Sequence, residues 1–430
     1  MSEQERVHSC IRAMHDAGAQ KAQCLLERTE KHELNVLSDR ISLFRTTYDT
    51  DIHLTALCDQ KKGVLSINTY EKQAIAKAVA DVVVLARISK PDPAYEIAEL
   101  QPSQVFHSGP EIPDRDLMYD RLTKFLAYSK ATYPKTILEE VIFDFCLTHS
   151  LFQNSNGVDF VSRTGQYTFN VMFTSKDGKK TSSSNYTDFS THHLNQKLQC
   201  FGSVDMLLQQ SAEQIDMGQI PETFIGDVII TPDCLRDFIK FLSGYLNDYA
   251  VITGNSIFKD ALNCTITDES LTLHSRPVSD DIINGYFFTH DGYKARNSTI
   301  IDQGILKSFL LSLYGSRKTG SARAVNQGGA FVVEAGNCPI EKMISSVKKG
   351  IMLCRFSGDA PCENGDFSGI AKNSYYLENG KIQYPLNETM VSGNLKDLLL
   401  NICNISRERI NFGNAVLPWI QVENITTSGK

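Results

Sequence analysis

The side chains in this chain that could do chemistry are few, and most of their pairings fail on spacing. His8 and His15 share a helix face, but seven residues make two turns, or ~10 Å, too far for one ion. His192 and His193 are adjacent, so their rings diverge. Asp233 and Asp237 lie one turn apart at the start of a helix, where carboxylates favour the dipole, and Cys234 beside them reads as a core thiol. Ser345-Ser346-Val347-Lys348 matches SxxK and Lys318-Thr319-Gly320 matches KTG, the marks of a serine acyl-enzyme, but in reversed order and with no SDN between them. Cys354 and Cys362 flank an FSGDAP loop, and a thiol nucleophile there would have only His274 or His290 in the same half of the chain as a base. No GxGxxG or GxxxxGK[ST] is present to cradle a phosphate.

What remains is residues 315–326, GSRKTGSARAVN, where Arg317, Lys318 and Arg323 stand among small residues. The composition predicts a cationic loop with open backbone, suited to an anionic or extended ligand or simply solvated. The loop follows an alternating stretch, residues 285–314, with turns at Asp291-Gly292 and Gln303-Gly304. That pattern predicts a β-meander whose last strand runs through Ile305, Phe309 and Leu311.

The elements that position this loop read as α+β. A helix through Val7, Ile11 and Met14 stops at Gly18; strands AQCLLERTE, ELNVLSDRISLFRTTYD, DIHLTALC and GVLSINTY follow; a helix over 72–88 closes a unit at residues 1–90. Residues 91–113 carry five prolines counting Pro91 and Pro113 and read as a linker. Residues 114–222 repeat the outline: a helix capped by Asp114, strands with turns at 154–157 and 176–178, and a helix over 203–217. The order suggests a duplicated helix-sheet-helix unit. Residues 223–430 form a β-rich domain whose first strand leads into a helix with Thr231 at the N-cap and Pro232 at N1.

Composition narrows the class further. A net charge of −7 and no long basic run argue against direct nucleic-acid binding. The mixed-charge N-terminus is no secretory signal, and no apolar run approaches the ~20 residues of a membrane helix. Eleven scattered cysteines without a CxxC pair fit reduced thiols in a cytoplasm. The apolar content of 300–313 and 395–420, with Leu398, Leu399, Leu400 and Ile402 in a row or nearly so, suggests a dimer face in the C-terminal half or burial in the core.

The 285–320 stretch, with GDFSGIAKNSYYLENGKI at 365–382, SGNLKDLL at 392–399 and the closing VLPWIQVENITTSG, resembles the C-terminal domain of the TldD/PmbA family, peptidase-related proteins once described as modulators of DNA gyrase. Catalytic members carry HExxxH on the corresponding helix, with a cysteine near the C-terminus completing a zinc site. Residues 231–237 hold no histidine, and no Cys or His follows Cys403. The resemblance therefore implies the metal-free TldE/PmbA branch, with no catalytic residue, metal or cofactor of its own. Where family members more usually carry a second acidic residue, His290 stands in the meander turn.

Family loops of this kind, here with Ser321 in place of the usual Asn, line a peptide cleft, which makes Lys318, Thr319, Gly320, Arg323 and Asn326 the implied peptide-binding residues. Arg323 would meet a carboxylate, and open backbone would pair with an extended chain. The implied partners are an HExxxH-bearing TldD-type zinc subunit, in a homo- or heterodimer, and a peptide or unfolded-protein substrate. Two alternatives stay open: a stand-alone peptidase with a different site, and a protein-binding adaptor, for example of DNA gyrase.

Overall fold

The structure, a computed structural model, describes residues 2–429. Helix α1 (Glu3–Asp16) begins in a capping box, Ser2 accepting from the Glu5 amide while the Glu5 side chain accepts from the Ser2 amide. It turns out through Gly18, whose positive φ suits the position after a helix. Strands β1 (Lys21–Leu37), β2 (Arg40–Cys58) and β3 (Lys61–Ile67) form an antiparallel meander, closed by α2 (Lys72–Ile88). There are three strands here rather than the four expected. The chain reverses inside ELNVLSDRISLFRTTYD, at Ser38-Asp39, both with positive φ. Neither residue is Gly, and the Asp39 carboxylate is anchored by the Leu138 amide at 3.1 Å.

Residues 91–113 contain β4 (Gln104–Ser108), which pairs in parallel with the later strand Asp159–Asp177. After α3 (Arg115–Thr132), capped by Asp114 as expected, come β5 (Thr136–Asn154), β6 (Asp159–Asp177), the two-residue β7 (Lys180–Thr181), β8 (Asn185–Thr191) and α4 (Val204–Glu213). β1 and β5 pair antiparallel from Gln23 opposite Asn154 to Leu37 opposite Glu140. The residues expected as two units with a linker thus build one eight-stranded sheet among the described residues. Strands of 17 to 19 residues are too long for one helix pair to cover. α1 and α2 bury Ala22, Cys24 and Leu26 at one end. α3 and α4 bury Leu34, Phe143 and Phe169 at the other.

The C-terminal region is the expected β-rich half, with a thirteen-stranded sheet among the described residues. β9 (Phe224–Ile230) lies between strand Lys349–Leu353, parallel to it, and the long closing strand Ala415–Ser428, antiparallel to it. The following helix α5 (Pro232–Leu246) presents Leu235, Phe238, Ile239 and Leu242 to the main core, each burial contributing roughly 1.5–3 kcal/mol. The Leu398, Leu399 and Ile402 run packs into the same core, leaving Leu400 exposed, so monomer packing accounts for it.

The two regions meet at an aromatic seam. Leu25, Phe152 and Phe160 of the N-terminal sheet pack on Phe287, Phe288 and Tyr293, and Phe106 stacks on Phe287 at 4.9 Å. Among the described residues no helix is long and apolar enough to cross a membrane.

A cleft between the sheet and the C-terminal domain

Both expected turns are present. Phe288 bridges Lys294 around Asp291-Gly292, and Gln303-Gly304 joins β11 (Ser298–Asp302) to β12 (Ile305–Leu306), the loop residues taking positive φ. β11 also pairs with β10 (Leu273–Ser275). The strand ends at Leu306, however; Phe309 and Leu311 are buried but lie outside it.

The segment expected as an open loop begins as a helix. Between β9's helix α5 and this segment comes α6 (Asp248–Thr253), and 313–319 form α7 (Leu313–Thr319), ended by Gly320 in the left-handed region. Three side chains hold its first turn. The Asp248 carboxylate accepts from the Ser312 amide at 2.8 Å and from the Ser312 hydroxyl. The Asp291 carboxylate accepts from the Leu313 amide at 2.7 Å and from the Thr289 hydroxyl. Ser312 caps the Gly315 amide. Two carboxylates at a helix N-terminus outweigh the poor helix propensity of Gly315 and Ser316. A Cβ on Gly315 would stand 1.9 Å from Asp248 Oδ1, so no larger residue fits there without displacing the carboxylate.

These elements form one wall of a cavity of about 520 Å³; Gln23, Thr55, Lys62 and Glu96 form the other. Of the expected site residues, Arg323 and Asn326 line it, while Lys318, Thr319 and Gly320 do not. Lys318 bonds Asp92 at 2.9 Å, the Thr319 hydroxyl donates to the Gly315 carbonyl, and Gly320 is the helix cap. Asn326 is buried, its amide donating to the Arg296 carbonyl at 2.8 Å and to Ser298 Oγ at 2.9 Å while its oxygen accepts from the Gly328 amide. The Arg323 guanidinium carbon sits over the Tyr293 ring, 3.6 Å from its centroid, and no carboxylate forms an ion pair with it among the described residues. Burial, then the bond its hydroxyl donates to Glu99, push the Tyr293 phenol well up, so the ring stays neutral under Arg323.

Lys62 reaches the same space from the start of β3. Much of the residue meets solvent, yet the walls around its ammonium depress its pKa, an effect the Asp291 carboxylate opposes. Neither Arg323 nor Lys62 forms an ion pair among the described residues, and the carboxylates that share the cavity lining are engaged elsewhere, Glu96 by Lys21 and Asp248 and Asp291 by the start of α7. Sequence reasoning missed Lys62 and Asp248, which reach the cleft from elements distant in the chain; an Asn-Asp pair just after α5 was the only local signal. The crossover also acts here. The Tyr314 hydroxyl donates to Asp92, Tyr95 stacks on Tyr314 at 5.2 Å, and Gln101 donates to the Gly292 carbonyl at 2.7 Å.

The α5 N-terminus forms a separate charged pocket. Asp233 accepts from Ser203 at 2.7 Å and Thr187 at 3.1 Å, and burial raises its pKa. Arg236 grips Asp188 through two bonds, and burial raises the Cys234 thiol well above its usual value. These residues do not suit zinc: Asp233 leaves only its buried Oδ2 unbonded, burial keeps the Cys234 thiol protonated, and α5 has no imidazole. No group of three His, Cys, Asp or Glu that could hold a metal occurs among the described residues. The remaining pairs stay apart or occupied: the His192 and His193 rings stand 6.4 Å apart and nearly perpendicular, His15 bonds the Ala19 carbonyl, and the Ser345 hydroxyl donates to the Lys342 carbonyl.

Comparison with known proteins places this geometry. Residues 224–429 match the family described as PmbA/TldA metallopeptidase C-terminal domain. Metalloprotease PmbA of Escherichia coli O157:H7 is 23 % identical over 390 residues, covering 87 % of this chain and 86 % of that protein. A Metalloprotease PmbA homolog of Buchnera aphidicola subsp. Baizongia pistaciae is 27 % identical over 196 residues, spanning 42 % of this chain and less than half, 44 %, of that one. The solved structure of TldE from Thermococcus kodakarensis superposes with a TM-score of 0.83 at 15 % identity, over 98 % of this chain and 99 % of that one. The match over residues 224–429, the relative matched over most of its length and the shared fold agree in supporting a TldD/PmbA-family protein.

Proposed function

We propose that this chain is a TldE/PmbA-type non-catalytic subunit, or a paralogue of one, in a zinc peptidase of the TldD/TldE kind, and that its cleft holds a peptide for a partner bearing HExxxH. The observation that carries this reading is the pair of cations, Arg323 and Lys62, facing a cavity of about 520 Å³ without forming an ion pair among the described residues, while the carboxylates around them, Glu96, Asp248 and Asp291, are bonded to other groups. A cation lying on a neutral aromatic ring in a recess is poised to receive a carboxylate. In this reading an acidic side chain or a C-terminal carboxylate of an extended peptide sits between Arg323 and Lys62. The Gln23 amide, already bonded to the His290 carbonyl, marks the rim beside it. Lys318, Thr319 and Gly320 then act through α7, by fixing the backbone that carries Arg323 into the cleft, while Asn326 fixes its far end.

The test mixes this chain with a zinc-bearing relative and follows cleavage of an unstructured acidic peptide. The mixture is expected to cleave, this chain alone to bind peptide without cleaving it, and elemental analysis to find no stoichiometric zinc in it. Cleavage by this chain alone would refute the non-catalytic reading, and absence of peptide binding would refute the cleft.

A further inference from the structure

The charged pocket at the start of α5 has a volume of about 310 Å³ and lies where that helix meets β8. One face of α5 supplies Asp233, Arg236, Asp237 and Lys240, spaced by three and four residues so that all stand on the same side of the helix. Tyr186 and Asp188 of β8 and Arg355 stand around them, and Asp188 is taken up by Arg236. Asp237 and Lys240 make no side-chain hydrogen bond or ion pair among the described residues. Arg355 bonds the Asn185 side chain at 3.0 Å and the Tyr186 carbonyl at 2.7 Å through Nη2 alone, its guanidinium carbon 3.4 Å from the centroid of the Tyr186 ring. Two atoms of the lining residues, Asp233 Oδ2 and Arg355 Nε, are buried without a hydrogen-bond partner, and so is Nδ2 of Asn185, whose oxygen takes the Arg355 bond. Buried polar atoms are nearly always bonded, so three such atoms around one polar pocket mark a place that a group from outside the chain completes.

We infer that this pocket binds a free α-amino acid, with its ammonium beside Asp237 and its carboxylate between Arg355 and Lys240. The balance of charge selects this class. With Asp188 and Arg236 paired, Asp233 and Asp237 remain on one side and Lys240 and Arg355 on the other. A simple anion would leave the carboxyl groups unmet, and a simple cation would leave Arg355 and Lys240 unmet; a zwitterion meets both. The spacing agrees. Asp237 and Lys240 are separated by ~4.5 Å along the helix axis, and an α-amino acid carries its two charges on one carbon. Burial raises the Asp237 carboxyl's pKa, and Arg355 heads the cations that oppose the rise, so the two groups act on each other across the pocket. An ammonium beside Asp237 also relieves its repulsion with Asp233, one turn away. Cys234 and Cys354 complete the lining as buried thiols that burial holds protonated, so they add no charge. A volume of about 310 Å³ stands at the small end of ligand sites and suits one amino acid rather than an extended chain. The pocket shares no lining residue with the Arg323 cleft and does not depend on what that cleft binds.

The test is isothermal titration calorimetry of the full chain with each of the common L-amino acids in turn. At least one is expected to bind with millimolar or tighter affinity, and its C-terminal amide and its N-acetyl derivative, each lacking one charge, to bind at least ~10-fold more weakly. Asp237→Asn removes the ammonium's partner at a side chain that holds no bond in the fold, so it should lower affinity by a similar factor and leave Tm unchanged. Lys240→Gln should weaken binding of the amino acid and leave that of its amide as it was. Arg323→Ala should leave amino-acid binding intact, and a loss there would overturn the inference by moving the ligand to the cleft. Absence of binding by every amino acid would overturn it, as would an amide or N-acetyl derivative that binds equally well, a comparison made on wild type and so independent of any variant's folding. Inorganic phosphate binding as tightly as the best amino acid would overturn it too, making the pocket a plain anion site.

Discussion

Replacing Arg323 by alanine separates a cleft that binds carboxylates from one that is only part of the fold. Two contributions disappear with the side chain, and their sizes differ. The first is its seat on Tyr293, a cation–π contact at 3.6 Å from the ring centroid. For a half-buried arginine that contact is worth about 1 kcal/mol of folding stability, between the ~0.5 of an exposed pair and the ~2 of a desolvated one. The second is a charge-assisted bond to ligand, worth roughly 1.5–3 kcal/mol. At 1.4 kcal/mol per decade that is a loss of about 10- to 150-fold in affinity. Fluorescence anisotropy with a labelled acidic peptide reads the second, and chemical denaturation reads the first. A peptide with its acidic side chains neutralised and its C-terminus amidated is the control. It should bind weakly to wild type and lose nothing further in the variant. Arg323→Lys should recover part of the affinity, because a point charge replaces a planar fork. Equal losses for the acidic and the neutralised peptide would refute the reasoning, since the residue would then be acting through shape. Unchanged affinity for the acidic peptide would refute it outright.

Two further predictions test the walls of the cleft. Gly315→Ala pushes a methyl group into Asp248 and breaks the cap of α7; a loss of about 2 kcal/mol or more in unfolding free energy is expected, with weaker peptide binding, and a neutral outcome in denaturation would show that the carboxylate can move aside. Lys62 must be protonated to hold an anion, and its pKa is lowered, so affinity should fall as pH rises through a value below the ~10.4 of an ordinary lysine; Lys62→Arg should remove this fall, and a wild-type profile flat up to the ordinary lysine range would exclude Lys62 from the site.

Local rules made much of this molecule legible. Asp114 and the Thr231-Pro232 pair mark helix starts, and Asp291-Gly292 and Gln303-Gly304 mark turns, because each depends on a residue's own backbone preference. Where the reading failed, distant residues decided. Ser38-Asp39 turns without glycine, with Leu138, about a hundred residues on, holding the Asp39 carboxylate. A segment with Gly315 inside it and Gly320 at its end forms helix α7 because Asp248 and Asp291 arrive at its N-terminus from other elements. The cleft was legible only as a cationic segment. Arg323 could be singled out by type, but its aromatic seat, and Lys62 opposite, exist only once the sheet and the C-terminal domain have met along the aromatic seam.

The crossover expected as a linker offers the sharpest test of how the cleft is held. Asp92 accepts from the Ala94 amide at 3.0 Å, from Lys318 at 2.9 Å and from the Tyr314 hydroxyl at 2.9 Å. The Ala94 amide and then Lys318 hold its carboxyl below the usual range. A carboxylate with a depressed folded-state pKa contributes stability that is fully present above its unfolded pKa and is lost as pH falls through the folded value. Acidification below about pH 4, the unfolded aspartate range, should therefore loosen α7 from the crossover. Asp92→Asn should produce the same loosening at neutral pH, since an amide keeps an acceptor for Tyr314 but no charge for Lys318. Hydrogen exchange across residues 313–319 is the measurement, and faster exchange there with an unchanged core is the expected result. Arg317, which also reaches the crossover through the Pro93 carbonyl at 3.0 Å, remains in the variant. If exchange in α7 is unaffected, that neutral contact and the Tyr95–Tyr314 stack suffice to seat the helix, and the ion pair is incidental.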